Sequence, residues 1–338
     1  MTRHFAKFIL ALFTFFASLC LHAGIYEFFF PWLGAEAKIC LRVVDDLGKP
    51  VEGAKVTGYF HFTEAMKTRT VRVTTDADGC AELKENCDND VTIEIQKDGF
   101  YPSRCDYDYG KPGHALKGGK WFPYGELKTY VLNRIQNPTA MYDFLDSHFD
   151  VPQVDIEYGF DLEYGDFVKP YGEGEVADFN VMFTWSEDEH RAVKTMTIRF
   201  LNPMDGAYAV PLCKESRLKS PHRAKPEAAY EKMLAYQCVW EKKNGKYVKV
   251  VQESYRPDQC LIIRTRSVVD AQGTLVRARY GKIYNAFDLS SSRYPTGIAN
   301  RFVTFLNPTD NDTNLEFDGD LHLELQKGNI RMSYGIGL

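Results

Sequence analysis

Most of the motifs by which a sequence declares a reaction are missing from this chain. It has no Gly-x-Ser-x-Gly elbow, no His-Glu-x-x-His pair, no Gly-rich phosphate loop closing on Lys-Ser or Lys-Thr, and no Gly-x-Gly-x-x-Gly run. Each spacing builds a particular site. Their absence argues in turn against an elbow hydrolase, a helix-borne zinc protease, a phosphate loop and a dinucleotide fold. No Cys-x-x-Cys occurs, which speaks against a zinc ribbon or a thioredoxin-like dithiol. His61, His114, His148, His190, His222 and His322 are not spaced from one another like metal ligands. Basic residues gather in no stripe, and the net charge of -5 is mixed in sign along the chain. Nucleic acid is therefore not expected as a partner. Long helical periodicity is scarce, and no cofactor is implied.

What is present reads as strand. The 338 residues leave room for two domains, and a hydrophobic fraction of 44% is enough to bury a core. The 20 Tyr and 23 Phe favour strands over helices. The most legible stretch is 40–101. Ile39, Leu41 and Val43 alternate with Cys40, Arg42 and Val44, and Asp45-Asp46-Leu47-Gly48 supplies the turn that ends the run. Ala54, Val56, Gly58 and Phe60 share one face of a second strand, with Lys55, Thr57, Tyr59 and His61 on the other. Residues 70–75, 80–83 and 91–96 continue the pattern. Asp76-Ala77-Asp78-Gly79 and Asp98-Gly99 read as tight turns. Short strands punctuated in this way predict a small sandwich.

This order of pieces closely resembles the carboxypeptidase regulatory-like domain, a transthyretin-like β-sandwich. The resemblance covers residues 39–101. It rests on Gly48-Lys49-Pro50-Val51 followed by Gly53-Ala54-Lys55-Val56, on Thr75-Asp76-Ala77-Asp78-Gly79, and on Lys97-Asp98-Gly99-Phe100. It implies a non-catalytic accessory module of the kind carried by secreted peptidases, surface receptors and envelope proteins. No active-site residue comes with it. Asp76, Asp78 and Gly79 are turn formers; a calcium site is the alternative, although the loop lacks the further spaced oxygens of a calcium loop.

The amino end points to export. Arg3 and Lys7 precede an apolar run over 8–21, the length of a signal-peptide core and short for a membrane span. A cut before Gly24, a later one after Ala35-Glu36-Ala37, an uncleaved anchor over 8–30 and a buried core helix are the open alternatives. The expected organisation is a signal peptide or membrane anchor over 1–37, a regulatory-like sandwich over 38–135, a linker over 136–150 and a β-rich domain over 151–338. Seven cysteines follow Cys20. Cys87 and Cys105 flank the hairpin that turns at Asp98-Gly99, which makes them the favoured disulfide; buried inert thiols are the alternative.

Residues 106–124 form a loop rich in Gly, Tyr and Lys that holds His114, Trp121 and Tyr124. Residues 127–134 alternate as a closing strand, and 140–149 suggests a helical turn or two. Further on, 179–185, 196–200, 239–243, 246–251, 260–269, 274–284, 302–305 and 321–325 read as strands, with Asn244-Gly245 as a hairpin turn. Residues 227–236 after Pro226 suggest a short helix. Phe200-Leu201-Asn202-Pro203 echoes Phe305-Leu306-Asn307-Pro308, as related sandwich edges or by chance. Tyr-Gly recurs at Tyr109, Tyr124, Tyr158, Tyr164, Tyr171, Tyr280 and Tyr334. A ring beside Gly has room to lie flat, to stack on a sugar or to close a sandwich corner. Tyr124, Tyr164 and Tyr171 are candidate ligand-binding residues on that ground, and Trp121 is a fourth from its place in the 106–124 loop. Residues 310–318 carry an acid or amide at every second position, as a solvated turn entering a strand or as a calcium loop with Leu315 where Gly belongs.

Two functions follow. The first is an exported, non-catalytic all-β protein of two sandwich-like domains, binding a glycan or envelope protein and touching membrane only through its amino-terminal segment. The second is an exported hydrolase, active on glycans, with its carboxylates in the second domain. Fractionation tests what they share. Cells expressing a tagged chain should yield it in an extracytoplasmic or membrane fraction, and recovery in the soluble cytoplasm would rule export out.

Overall fold

The structure, a computed structural model, describes residues 34–62, 66–146, 149–253, 258–284, 289, 297–298 and 302–323. The apolar run over 8–21 lies outside them, as do His148 and Tyr334. No helix among the described residues is long and apolar enough to cross a membrane. The chain divides into two compact units, 1–135 with 215–217, and 136–214 with 218–338.

The first unit contains β1 (Ala35–Asp45), β2 (Lys55–Phe62), β3 (Lys67–Thr74), β4 (Cys80–Cys87), β5 (Asp90–Gln96), β6 (Ser103–Asp108), β7 (Ala115–Lys117), β8 (Lys120–Phe122) and β9 (Leu127–Leu132). One sheet runs β4-β1-β8-β7 with β9 also on β1, and the other runs β3-β2-β5-β6. Alternation decides what lies between them. Ile39, Leu41, Val43, Leu83, Tyr130 and Leu132 from the first sheet meet Val56, Phe60, Val91, Ile93 and Ile95 from the second in one core. The alternate residues face outward. β1 begins at Ala35, inside the expected leader, and Ala35 and Ala37 are already buried in the sheet.

The Asp76 turn forms as its residue types require. Asp76 Oδ1 accepts the Asp78 and Cys80 N–H groups at 3.0 and 2.8 Å. Gly79 sits at φ +74°, and its carbonyl accepts from Val43 N–H at 2.7 Å. A side chain there would meet the Val43 carbonyl oxygen at 2.3 Å.

The second unit contains β10 (Thr139–Asp146), β11 (Phe149–Asp150), β12 (Glu157–Asp161), β13 (Asp166–Phe167), β14 (Phe179–Glu187), β15 (Arg191–Arg199), β16 (Gly206–Pro211), β17 (Met233–Lys243), β18 (Lys246–Glu253), β19 (Gln259–Val269), β20 (Leu275–Tyr284), β21 (Gly297–Ile298), β22 (Phe302–Leu306) and β23 (Phe317–Leu323). Its two large sheets run β13-β12-β14-β15-β17-β18 and β16-β19-β20-β22-β10-β23, with β11 and β21 as a small pair. Phe179, Val181, Phe183, Met196, Ile198, Cys238 and Trp240 from the first meet Leu261, Ile263, Ile283 and Leu306 from the second. The other face of the second sheet buries Cys260, Ile262, Tyr280, Tyr284 and Phe305 in a separate core.

Two helical expectations fail. Residues 140–146 belong to β10, held between β22 and β23. The stretch after Pro226 has helix-forming composition, but Glu231 and Ala207 exchange backbone hydrogen bonds at 2.8 and 3.0 Å, and β17 starts at Met233. Tertiary pairing overrides propensity here. The hairpin at Asn244-Gly245 stands, both residues adopting positive φ, 52° and 77°. The echoed Asn-Pro segments do not mark edges: β15 lies between β14 and β17, and β22 between β20 and β10.

Gly79→Ala should destabilise the first unit by about 2 kcal/mol or more, because it combines left-handed backbone with a backbone clash. An unchanged denaturant midpoint would show that the turn yields.

Candidate ligand-binding face

The outward residues of the β3-β2-β5-β6 sheet form an ordered polar face. Pairing registers place Thr70, Tyr59, Thr92 and Asp106 in one row across four strands. Arg72, Thr57, Glu94 and Arg104 form the next. His61, opposite Thr68, stands on the other side of the first row and reaches it. Its Nδ1 lies 3.1 Å from Thr68 Oγ1 and its Nε2 3.2 Å from Thr92 Oγ1. Thr92 Oγ1 donates to Asp106 Oδ1 at 2.7 Å. That donation uses the only hydroxyl hydrogen of Thr92, so Nε2 of His61 must carry the hydrogen and donate. Tyr59 Oη donates to Glu94 Oε2 at 3.2 Å, and Arg104 reaches Glu94 and Asp106 at 3.7 and 4.0 Å.

A depression at each end extends this face. One, of about 390 Å³, is lined by His61, Met66, Thr68, Asp90, Thr92 and Asp106 among others. The other, of about 300 Å³, is lined by Lys55, Gln96, Lys97, Asp98 and Phe100 among others. Burial, reinforced by the Asp108 and Asp88 charges, pushes the Asp90 carboxyl up from the usual range. The face thus has hydroxyls at its middle, acids at one end and cationic side chains at the other.

The sequence-derived candidates lie elsewhere. Trp121 is buried, its Nε1–H donating to the Cys87 carbonyl at 3.2 Å and its ring stacked on Tyr109 at 5.3 Å. Tyr124 donates its hydroxyl to Glu36, with the Lys120 ammonium 4.7 Å from its ring centre. Tyr164 follows β12, where its N–H reaches Asp161 Oδ1 at 3.4 Å. Tyr171 is exposed and packs edge-on against buried Tyr158 at 4.6 Å. The first pair belongs to one unit and the second pair to the other. The bridge expected between Cys87 and Cys105 is not formed, and both are free thiols. Both face the same core, but Cys87 pairs with Ala35 at one end of β1, whereas Cys105 lies beside Tyr130, which pairs with Val43 near the other end. Burial pushes Cys87 up to about 12 and Cys105 up to about 11.

The second unit brings carboxylates together around a cation. Arg266, at φ +53° in a bulge of β19, donates Nε to Asp178 Oδ1 at 2.8 Å and Nη2 to Asp161 Oδ1 at 2.7 Å. Its Nη1 pairs with Glu163 at 2.9 Å, and Arg279 binds both Glu163 and Asp310. Asp161 also accepts the Glu175 and Val176 N–H groups at 3.0 and 2.9 Å. Burial pushes Asp178 up, against the pull of Arg266 and of the Leu162 and Thr265 donors. These acids are committed to guanidinium and backbone donors, an arrangement suited to fixing β12 and β14 on β19. Among the described residues no group of three or more His, Cys, Asp or Glu is placed to hold a metal ion.

No family model matches this chain, and no curated protein does. Among solved structures it is similar to 3-chlorocatechol 1,2-dioxygenase from Rhodococcus opacus, at 12% identity and a TM-score of 0.25, over 30% of this chain and 61% of that one. It is also similar to a candidate carbohydrate-binding protein from Bacteroides uniformis, at 11% identity and a TM-score of 0.19, over 80% and 99%. The major pilin SpaD from Corynebacterium diphtheriae matches at 10% identity and a TM-score of 0.23, over 83% of each chain. The chain thus spans 61% of the dioxygenase. Identities and scores this low carry no argument about activity, ligand or partner.

One buried group has a measurable signature. Lys282 is fully buried, its Nζ donating to the Leu315 carbonyl at 2.6 Å and to Ser220 Oγ at 3.3 Å. Burial lowers it from 10.5 to about 7, against the favourable charges of Cys260 and Glu316. Between those values the unfolded chain holds the proton and the folded chain does not, so this group makes stability rise with pH across that window. The gain is at most about 1.4 kcal/mol per pH unit. Denaturant unfolding at pH 7.0 and 9.5, comparing the protein with Lys282→Met, should show the excess gain only in the unsubstituted chain; equal slopes would refute it.

Proposed function

We propose that this chain is an exported, non-catalytic two-domain β-protein whose first unit, a carboxypeptidase regulatory-like module, holds a hydroxyl-rich glycan on the β3-β2-β5-β6 face. The observation that carries the reading is the hydrogen-bonded row Thr68–His61–Thr92–Asp106, with a depression of about 390 Å³ around it. A sugar presents several hydroxyls, each a donor and an acceptor. Threonine, tyrosine, histidine and carboxylate groups fixed by their neighbours offer matching partners with little side-chain freedom left to lose. Depressions at both ends suit an extended ligand better than a compact one. In this reading residues 1–37 are the export signal or anchor, and the second unit supports or presents the first at the cell envelope.

The test is retention of the exported portion on a panel of insoluble polysaccharides, with soluble products measured in parallel. Retention without products is expected. Asp106→Ala and Tyr59→Ala should each weaken it by roughly tenfold, the value of about 1.5 kcal/mol for a hydrogen bond to a charged group. Circular dichroism should stay unchanged. Release of soluble products by the exported portion would establish the hydrolase instead, and failure to bind any member would overturn the glycan reading.

A further inference from the structure

The outward face of the other sheet in the first unit carries a diagonal series. β1 and β4 pair antiparallel, with Glu36 opposite Asn86, Lys38 opposite Lys84, Cys40 opposite Glu82 and Arg42 opposite Cys80. Val43 N–H donates to Gly79 O at 2.7 Å, so the odd positions of β1 exchange the ladder bonds and the even, outward ones sit at the non-bonded pairs, where side chains approach more closely. On this face the contacts run along one diagonal. Glu36 meets Lys84 at 3.0 Å rather than its direct partner, and Lys38 meets Glu82 at 2.8 Å. Each step joins a β1 residue to the β4 residue two before its opposite. The next step in the same direction joins Cys40 to Cys80.

We propose that Cys40 and Cys80 form a reversible surface dithiol that a small-molecule disulfide converts to a strained, easily reduced bridge between β1 and β4. Both thiols are free and partly accessible, as Cys105 and Cys213 also are, whereas Cys87, Cys238 and Cys260 are buried. Cys80 Sγ now lies 3.8 Å from the Asp78 carbonyl, and rotation about its own Cα–Cβ bond turns it along the strand pair. Diagonal neighbours lie roughly 7–8 Å apart. An unstrained disulfide wants roughly 4.4–6.8 Å between α-carbons, so closure must draw the strands together and leaves a bond that reopens readily. β4 is an edge strand, bonded to β1 alone in its sheet, and it can shift further than a central strand.

The chemistry balances as two exchanges. The Cys40 thiolate attacks one sulfur of oxidised glutathione, forming a mixed disulfide and expelling one glutathione thiolate. The Cys80 thiolate then attacks Cys40 Sγ, expelling the second. Two protons leave the protein, its two thiols are oxidised, and one oxidised glutathione is reduced to two glutathione molecules.

The experiment treats the full chain with oxidised glutathione, blocks remaining thiols with iodoacetamide and maps peptides without reduction. The expected result is one linked peptide pair joining Cys40 to Cys80, no glutathione on either, and recovery of both thiols in reduced glutathione buffer. In Cys40→Ser, Cys80 should instead retain one glutathionyl group, because no neighbouring thiol displaces it; Cys80→Ser should trap the adduct on Cys40. Free thiols at both positions, separate adducts in the unsubstituted chain, linkage of either to another cysteine, or a bridge that resists reduced glutathione would each overturn the proposal. The mapping of the unsubstituted chain decides the matter even where a variant folds poorly.

Discussion

The first unit depends on the register of β1. This strand bonds to β4 on one side and to β8 and β9 on the other, so three strands take their alignment from it. Its side chains alternate with period two. A slip of one residue would expose Ile39, Leu41 and Val43 and bury Glu36, Lys38 and Arg42, at a cost no surface contact could offset. The register also sets the outward diagonal. The two salt bridges on that diagonal are each worth little, because their side chains are half open to water. Their value lies in reporting the direction in which the twisted strands close. Burial on one face thus decides which residues meet on the other.

The second unit solves a different problem. Its sheets bury charged groups, and a buried charge is tolerable only with partners. Arg266 meets that condition with acids from the β12 region and from Asp178. It adopts positive φ in a bulge to do so, a strain its surroundings hold in place. Lys282 has less: a carbonyl, a hydroxyl, and the Tyr284 and Phe305 rings at 5.2 and 4.9 Å. The contrast explains why Arg266 stays a cation while Lys282 releases its proton more easily. Removing a partner of Arg266 would leave uncompensated charge, and such losses run to about 3–5 kcal/mol. Replacing Lys282 by an apolar chain removes the charge itself.

The strands were legible where alternation was strong. Val56 and Phe60 lie inward and Tyr59 and His61 outward, as their spacing requires. The turns at Asp76-Gly79 and Asn244-Gly245 follow from residue types that tolerate positive φ. Composition misleads where tertiary context decides. Residues after Pro226 favour a helix alone and pair as strand in place, because Ala207 offers a backbone partner that no local signal announces. Cys87 and Cys105 look symmetric about a hairpin, yet Cys87 pairs with Ala35 at one end of β1 and Cys105 lies beside Tyr130, the partner of Val43 near the other. Proximity in sequence therefore became separation in space. The thiols that the fold brings together, Cys40 and Cys80, lie far apart in the chain and need the β1–β4 register to be seen.

The polar face was present in the sequence as the discarded half of each alternation. The 106–124 loop offered Trp121 as a ligand contact, and the structure spends it on the core. Core positions carry little information about function, since any apolar residue of the right volume serves there. Outward positions on a strand are freer. When chance and solubility fill them, Lys and Glu are adequate. Here Thr68, Tyr59, Thr92, His61 and Asp106 are drawn from different strands and still share one hydrogen-bond path. Short side chains with a donor and an acceptor on the same atom add little to solubility and are poor at covering apolar surface. They are good at fixing each other's hydrogens, as Asp106 does for Thr92 and Thr92 for His61. Threonine and tyrosine also suit a pleated strand, so what sets this face apart is that Asp106, Thr92, His61 and Thr68, from different strands, are joined by hydrogen bonds.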